Sequence, residues 1–153
     1  ENTTGNEPRL IIGNNVQIND FCHLAAYEKV VLKDNVLIAS KVYISDLSHG
    51  FYGQDGVHSD MDSIVKDRPL SARPVTIEEN VWLGDGVCVL PGVTIGKKSI
   101  VGANAVVPSD LPEGSIAVGI PAKVIKKREL KEFNKLVSEE RFYLKLKAEK
   151  FND

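Results

Sequence analysis

Residues 77–112 divide into six blocks of six, "IEENVW", "LGDGVC", "VLPGVT", "IGKKSI", "VGANAV" and "VPSDLP". The first position of every block is aliphatic (Ile77, Leu83, Val89, Ile95, Val101, Val107), and the fifth holds Val81, Val87, Val93, Ser99, Ala105 and Leu111. Eleven of these twelve residues are apolar. Neither a helix, with its period of about 3.6, nor a flat strand, with its period of about 2, sustains that pattern. A beat of six with apolar positions one and five fits a short strand, a turn and a second strand set at an angle. Each block then forms one side of a coil that stacks on the coil beneath, and the inward side chains fill a narrow core. Gly84, Gly96 and Gly102 follow the inward aliphatic residue, where the chain leaves a corner and a Cβ would crowd its surroundings.

The beat also runs through the N-terminal half, as "IGNNVQ" and "INDFCH" from Ile12, then "LKDNVL" and "IASKVY" from Leu32 to Ile44. Between them "LAAYEKVV" introduces a slip of two residues. Cys22 falls on an inward fifth position and reads as core; Cys88 points outward. From Ile44 to Val75 the beat stops, and a segment of about thirty residues without periodicity inside a repeat array reads as a functional loop. It contains His49 and His58 among aspartates. After Lys127 the pattern changes to a helical stripe of Leu130, Phe133, Val137, Leu144, Ala148 and Phe151. The expected organisation is therefore a coil over residues 1–127, interrupted by a loop at 46–74, and a C-terminal helix over 128–153.

Composition sets outer bounds. The chain has 153 residues, 42% of them hydrophobic, and a net charge of -2, which suits one globular unit and offers no basic surface for nucleic acid. Two cysteines 66 residues apart form no disulfide framework or CxxC site. No apolar run reaches the ~18 residues needed to span a bilayer, and "ENTTGNEPRL" lacks the apolar stretch of a signal peptide. The expectation is a cytoplasmic protein with reduced thiols and no integral membrane segment.

The sixes resemble the left-handed parallel β-helix of the hexapeptide-repeat acyltransferases; the handedness comes from that resemblance alone. "SHG" at the start of the long loop, "PVTIEENVWLGDGVCVLPGVTIG" after it and "AVGIPAKVIKK" closing the coil narrow the resemblance to the sugar O-acetyltransferases. The lipopolysaccharide and capsule enzymes look most alike, with their Asp-x-x-His-Gly and a later Arg-Pro-Leu, here Arg68, Pro69 and Leu70. The resemblance covers roughly residues 10 to 127. It implies an all-β fold, acetyl-CoA as donor, no required metal, a sugar or glycan acceptor, and a homotrimer with active sites between subunits.

Residue by residue, the resemblance puts the base on His49, the tryptophan beside the thioester on Trp82 and an acceptor or acetyl contact on Asn19. The cofactor-binding positions fall on Gly84, Asp85, Ala103, Pro108, Ser109, Lys123 and Lys126. Pro108 and Ser109 stand where relatives often carry Thr-Lys. An acidic acceptor-binding residue of the galactoside enzymes aligns near Tyr27, which implies a different acceptor here.

The chemistry asked of these residues is modest, because an acetyl thioester is already activated. A histidine titrates near pH ~6.5 and is well suited to take a proton from a sugar hydroxyl as the oxygen attacks. Asp46, three residues before His49, is the nearest candidate to orient the imidazole. Gly84 and Gly86 leave the "LGDG" backbone bare, so its N–H groups are candidate donors to the oxyanion. Lys123 and Lys126 offer point charges for the cofactor's phosphates, or a solvated basic patch with Lys127 and Arg128. Three other readings stand beside this one. They are a zinc enzyme of the γ-carbonic-anhydrase type drawing on the three histidines, a non-catalytic coil used for assembly, and an N-acetyltransferase of amino sugars or other small acceptors.

Overall fold

The structure, a computed structural model, describes residues 9–53 and 57–128 together with Ser138, Glu139 and Arg141. Short parallel strands stack into three faces. The first contains Leu10–Ile12, Val30–Leu32, Val75–Ile77 and Thr94–Ile95. The second contains Gln17–Ile18, Leu37–Ile38, Trp82–Leu83, Ile100–Val101 and Ser115–Val118. The third contains His23–Ala25, Tyr43–Ser45, Cys88–Val89 and Val106–Val107. Because the chain visits the faces in that order and pairs each strand in parallel with its equivalent one coil on, the architecture is a parallel β-helix.

The inward residues are those that the six-residue beat selects. Leu32, Ile38, Ile44, Ile77, Leu83, Val89, Ile95 and Val107 are all 0% exposed, each contributing about 1.5–3 kcal/mol of apolar burial. Ser99, the one polar fifth position, is also buried, and its hydroxyl is satisfied: it donates to the Pro112 carbonyl at 3.1 Å and accepts the Ser115 N–H at 3.1 Å. Cys22 packs against the core, its thiol 3.0 Å from the Ala39 carbonyl oxygen. Cys88 faces outward on the third face between Tyr43 and Val106, where partial burial pushes its thiol pKa up.

Position four of the repeat carries a signal that the apolar beat does not capture. Asn15, Phe21, Asn35, Lys41, Asn80, Lys98 and Asn104 all have positive φ, as do Gly86 and Gly92. Every one falls at the same point of its block, where the corner demands a left-handed residue; the recurring Asn and Gly are the sequence trace of that demand. Gly96 at position two answers a different constraint. A Cβ there would lie 2.7 Å from the Pro112 carbonyl carbon and also against the Glu113 N. Gly96→Ala is therefore expected to cost about 1–3 kcal/mol by overpacking backbone on backbone, measured as a lower midpoint in chemical denaturation.

The first-to-second and second-to-third corners keep a constant step, from Ile12 to Ile18 to Leu24, through Leu32, Ile38 and Ile44, to Ile77, Leu83 and Val89. All variation in coil length sits at the third-to-first corner. There the two-residue slip lies between Ala25 and Val30, the long loop between Ser45 and Val75, and a shortened turn between Val107 and Leu111, which bridges to Ile95. Among the described residues, every change of coil length before the closing hairpin lies on this edge.

The coil ends in an antiparallel hairpin of Ser115–Val118 with Lys123–Lys127, turned through Gly119 and a cis Ile120–Pro121 peptide. The helix expected over 128–153 lies outside the described residues, apart from Arg128 in coil and Ser138, Glu139 and Arg141 in helical conformation; these do not establish it. No described helix is long and apolar enough to cross a membrane.

Candidate active site

The long loop leaves the third face as an ordered ribbon. Leu47–His49 pairs antiparallel with Leu70–Ala72, setting Leu47 opposite Ala72 and His49 opposite Leu70. Gly50 follows with φ 103, a conformation that suits glycine. A Cβ there would fall 2.7 Å from the Tyr52 hydroxyl, but the positive φ is the stronger reason that glycine follows His49. The Tyr52 hydroxyl donates to the His49 carbonyl at 2.8 Å and accepts from the Arg68 guanidinium at 2.7 Å. Arg68 also donates from Nε to the Ser63 hydroxyl at 2.8 Å and from its second terminal nitrogen to the Ser63 carbonyl at 3.0 Å. The "RPL" motif thus acts through Arg68, which gathers the loop around the histidine backbone, a role for Tyr52 and Arg68 that sequence reading missed. His58 pairs with Tyr52 across the loop, its ring 6.4 Å away and tilted, and is part of the same fold-back.

His49 itself is exposed, and among the described residues no side chain bonds to its imidazole. The expected orienting role of Asp46 is corrected here. Its carboxylate is 0% exposed and accepts the backbone N–H groups of Tyr27 at 2.8 Å and of Glu28 and Lys29 at 2.7 Å each. Its oxygens are taken up by these three main-chain N–H groups, and it makes no bond to the imidazole. The turn so held lines a cleft of about 350 Å³ formed by Arg9, Tyr27, Glu28 and Ala72, with the Arg9 guanidinium 5.5 Å above the Tyr27 ring.

The remaining site residues fall into two groups. Trp82 projects outward from the second face, 47% exposed, between Leu37 and Ile100. Next to it, the second-to-third corner stacks Gly84 and Asp85 directly against Ala103, with Asn19 on the same corner two coils away across Ala39, and Lys123 and Lys126 sit on the hairpin paired with Val118 and Ile116. Pro108 and Ser109 lie instead on the third-to-first corner, the edge from which the His49 ribbon departs. One chain therefore brings Asn19, Trp82, Gly84, Asp85 and Ala103 to one edge, and His49, Pro108 and Ser109 to another.

Two of the candidate oxyanion donors of "LGDG", the amides of Gly84 and Gly86, are engaged within the coil. The Gly84 N–H donates to the Val101 carbonyl and the Gly86 N–H to the Ser40 carbonyl, both at 2.9 Å; the coil consumes these amides. Asp85 is likewise engaged, its carboxylate accepting the Ser40 N–H at 3.0 Å. Outside the loop, His23 stacks on Tyr43 with ring centroids 5.1 Å apart, on the exposed third face. Among the described residues no group of three His, Cys, Asp or Glu side chains gathers as a metal site.

The repeat coil matches known proteins in both sequence and shape. Residues 74–109 match the family model described as bacterial transferase hexapeptide (six repeats). The chain belongs to the hexapeptide-repeat transferase family. Among its relatives, the Escherichia coli (strain K12) protein WbbJ, named for lipopolysaccharide biosynthesis O-acetyl transfer, is 42% identical over 118 residues, 77% of this chain and 60% of that protein. A Vibrio cholerae O1 biovar eltor hexapeptide-repeat acetyltransferase, solved with acetyl coenzyme A, is similar with a TM-score of 0.68 and 28% identity, over 79% of this chain and 61% of that one. A galactoside acetyltransferase solved with coenzyme A has a TM-score of 0.68 and 32% identity, over 81% of this chain and 57% of that one. The chain spans 52–60% of the length of three of the family's curated relatives.

Proposed function

We propose that this hexapeptide-repeat transferase moves acetyl from acetyl-CoA to a hydroxyl of a sugar in cytoplasmic synthesis of lipopolysaccharide or capsule, with His49 as general base. The observation that carries the reading is the placement of His49. It stands exposed on a ribbon held by Tyr52, Arg68 and Gly50, at the edge where the otherwise regular coil departs from its beat. The relatives named for O-acetyl transfer and the neighbours solved with coenzyme A and acetyl coenzyme A support the donor and the reaction class.

In this reading the neutral imidazole of His49 takes the proton of the acceptor hydroxyl as its oxygen attacks the thioester carbonyl. The tetrahedral intermediate then collapses, the C–S bond breaks and coenzyme A leaves as the thiol after receiving the proton from the imidazolium. Trp82 lines the thioester end, Asn19 contacts the acceptor or acetyl group, and Gly84, Asp85, Ala103, Pro108, Ser109, Lys123 and Lys126 bound the cofactor. Because the two groups of residues occupy separate edges of one chain, the site is completed by a neighbouring copy. A left-handed coil assembled as a homotrimer is the arrangement that fits, and the resemblance supports it.

Trp82 is the sole tryptophan and is half exposed, so it reports on the site directly. Titration with acetyl-CoA is expected to change its emission saturably, with the same midpoint as calorimetric binding. Binding without any change in emission would remove Trp82 from the site.

A further inference from the structure

The two insertions relative to the hexapeptide beat are far apart in sequence but meet at one side chain. The slip between Ala25 and Val30 adds two residues to its corner, and the long loop opens at Asp46 one coil on, at the same corner. The extra residues of the slip create a turn whose three consecutive N–H groups, from Tyr27, Glu28 and Lys29, converge on the Asp46 carboxylate at 2.7–2.8 Å. Oδ1 accepts from Tyr27, and Oδ2 accepts from both Glu28 and Lys29. The main chain of the same residue closes the root of the ribbon: the Asp46 carbonyl accepts the Arg73 N–H at 2.8 Å, and the Asp46 N–H donates to the Ala25 carbonyl at 3.3 Å.

Other aspartates stitch coil to coil in a plainer way. Asp34, Asp85 and Asp110 each accept one main-chain N–H, from Asn14, Ser40 and Thr94, and none of them is buried. Asp46 accepts three and is 0% exposed. A buried carboxylate stripped of such donors is costly, so the turn and the loop root hold each other in one geometry. His49 lies three residues beyond that root, and Ala72 of the facing strand lines the cleft with Tyr27 and Glu28.

We propose that Asp46 is a positioning residue, locking the His49 ribbon to the Tyr27–Lys29 turn so that the base and the cleft wall move as one unit. The catalytic part of this rests on His49 being the base; the coupling itself does not. Asp46→Asn tests it, because an amide replaces one acceptor oxygen with a donor that must face an N–H group; Asp46→Glu keeps the charge but displaces it, and carries the test should the asparagine variant not fold.

Amide hydrogen exchange reads the coupling without any acceptor. In either variant the amides of Tyr27, Glu28 and Lys29 are expected to exchange at least about tenfold faster, and so are those of Gly50 and Arg73 in the ribbon, while Gly84 and Cys88 in the coil stay within about twofold. Faster exchange confined to Tyr27–Lys29, with the ribbon unchanged, would overturn the proposal. With acetyl-CoA and a sugar that the wild type acetylates, kcat is expected to fall at least about tenfold with the KM for acetyl-CoA unchanged; a rise in that KM with kcat intact would overturn the positioning role. Absence of transfer by the wild type to every sugar tried counts against His49 as the base, and the exchange data still decide the coupling.

Discussion

His49→Ala is expected to lower kcat for acetyl transfer by about 10²–10⁴-fold, the usual contribution of a positioned general base, while leaving the KM for acetyl-CoA and the denaturation midpoint close to wild type. The structural part of that expectation follows from the surroundings of the residue. His49 is exposed and no described side chain bonds to its imidazole, so its removal leaves no buried partner unsatisfied. The backbone that places it is held by its own carbonyl bond from Tyr52 and by pairing with Leu70, both indifferent to the side chain. Steady-state kinetics combined with a denaturation curve check the pair of outcomes. Wild-type turnover in the variant would remove His49 from the mechanism, whereas a collapse of stability would mean that the ribbon depends on the side chain.

The second large effect is on folding. Leu83→Ala is expected to destabilise by about 2–5 kcal/mol, because Leu83 is 0% exposed in the column with Ile38 and Val101, and the narrow coil has little freedom to close a cavity. Its neighbour Trp82 is 47% exposed on the opposite side of the same two-residue strand. Trp82→Ala should therefore cost well under half as much stability despite deleting a far larger side chain. Chemical denaturation of the two variants measures whether position one is inward and position six outward, and equal losses would contradict that assignment.

The regular part of the fold was legible because a coil repeats one constraint many times. Each inward position must be apolar whatever the neighbouring residues, so Ile77, Leu83, Val89 and Ile95 announce themselves through spacing alone. The left-handed corner was present in the sequence as recurrent Asn and Gly but diluted by Phe21, Lys41 and Lys98, which adopt the same φ at some cost. The site was legible only in part. "SHG" and "NVW" point by resemblance to His49 and Trp82 as candidates, yet nothing in local spacing reveals that Arg68 reaches Tyr52 or that Asp46 is bound by the Tyr27–Lys29 amides. Those contacts join residues between 16 and 19 positions apart, and the partners of Asp46 are backbone groups that carry no residue signature. The same reason applies to two of the candidate oxyanion donors: the bareness of "LGDG" is visible in its glycines, whereas the engagement of Gly84 with Val101 and of Gly86 with Ser40 depends on stacking between coils.

The most direct test of the proposed chemistry is mass spectrometry of a panel of sugars incubated with acetyl-CoA and the purified protein, with His49→Ala run in parallel. The account predicts one acetyl group gained by at least one sugar, bound through an ester that mild base removes, and loss of that product in the variant. An acetyl group resistant to mild base would place the transfer on an amine, and equal product from the variant would contradict the assignment of His49 as the base.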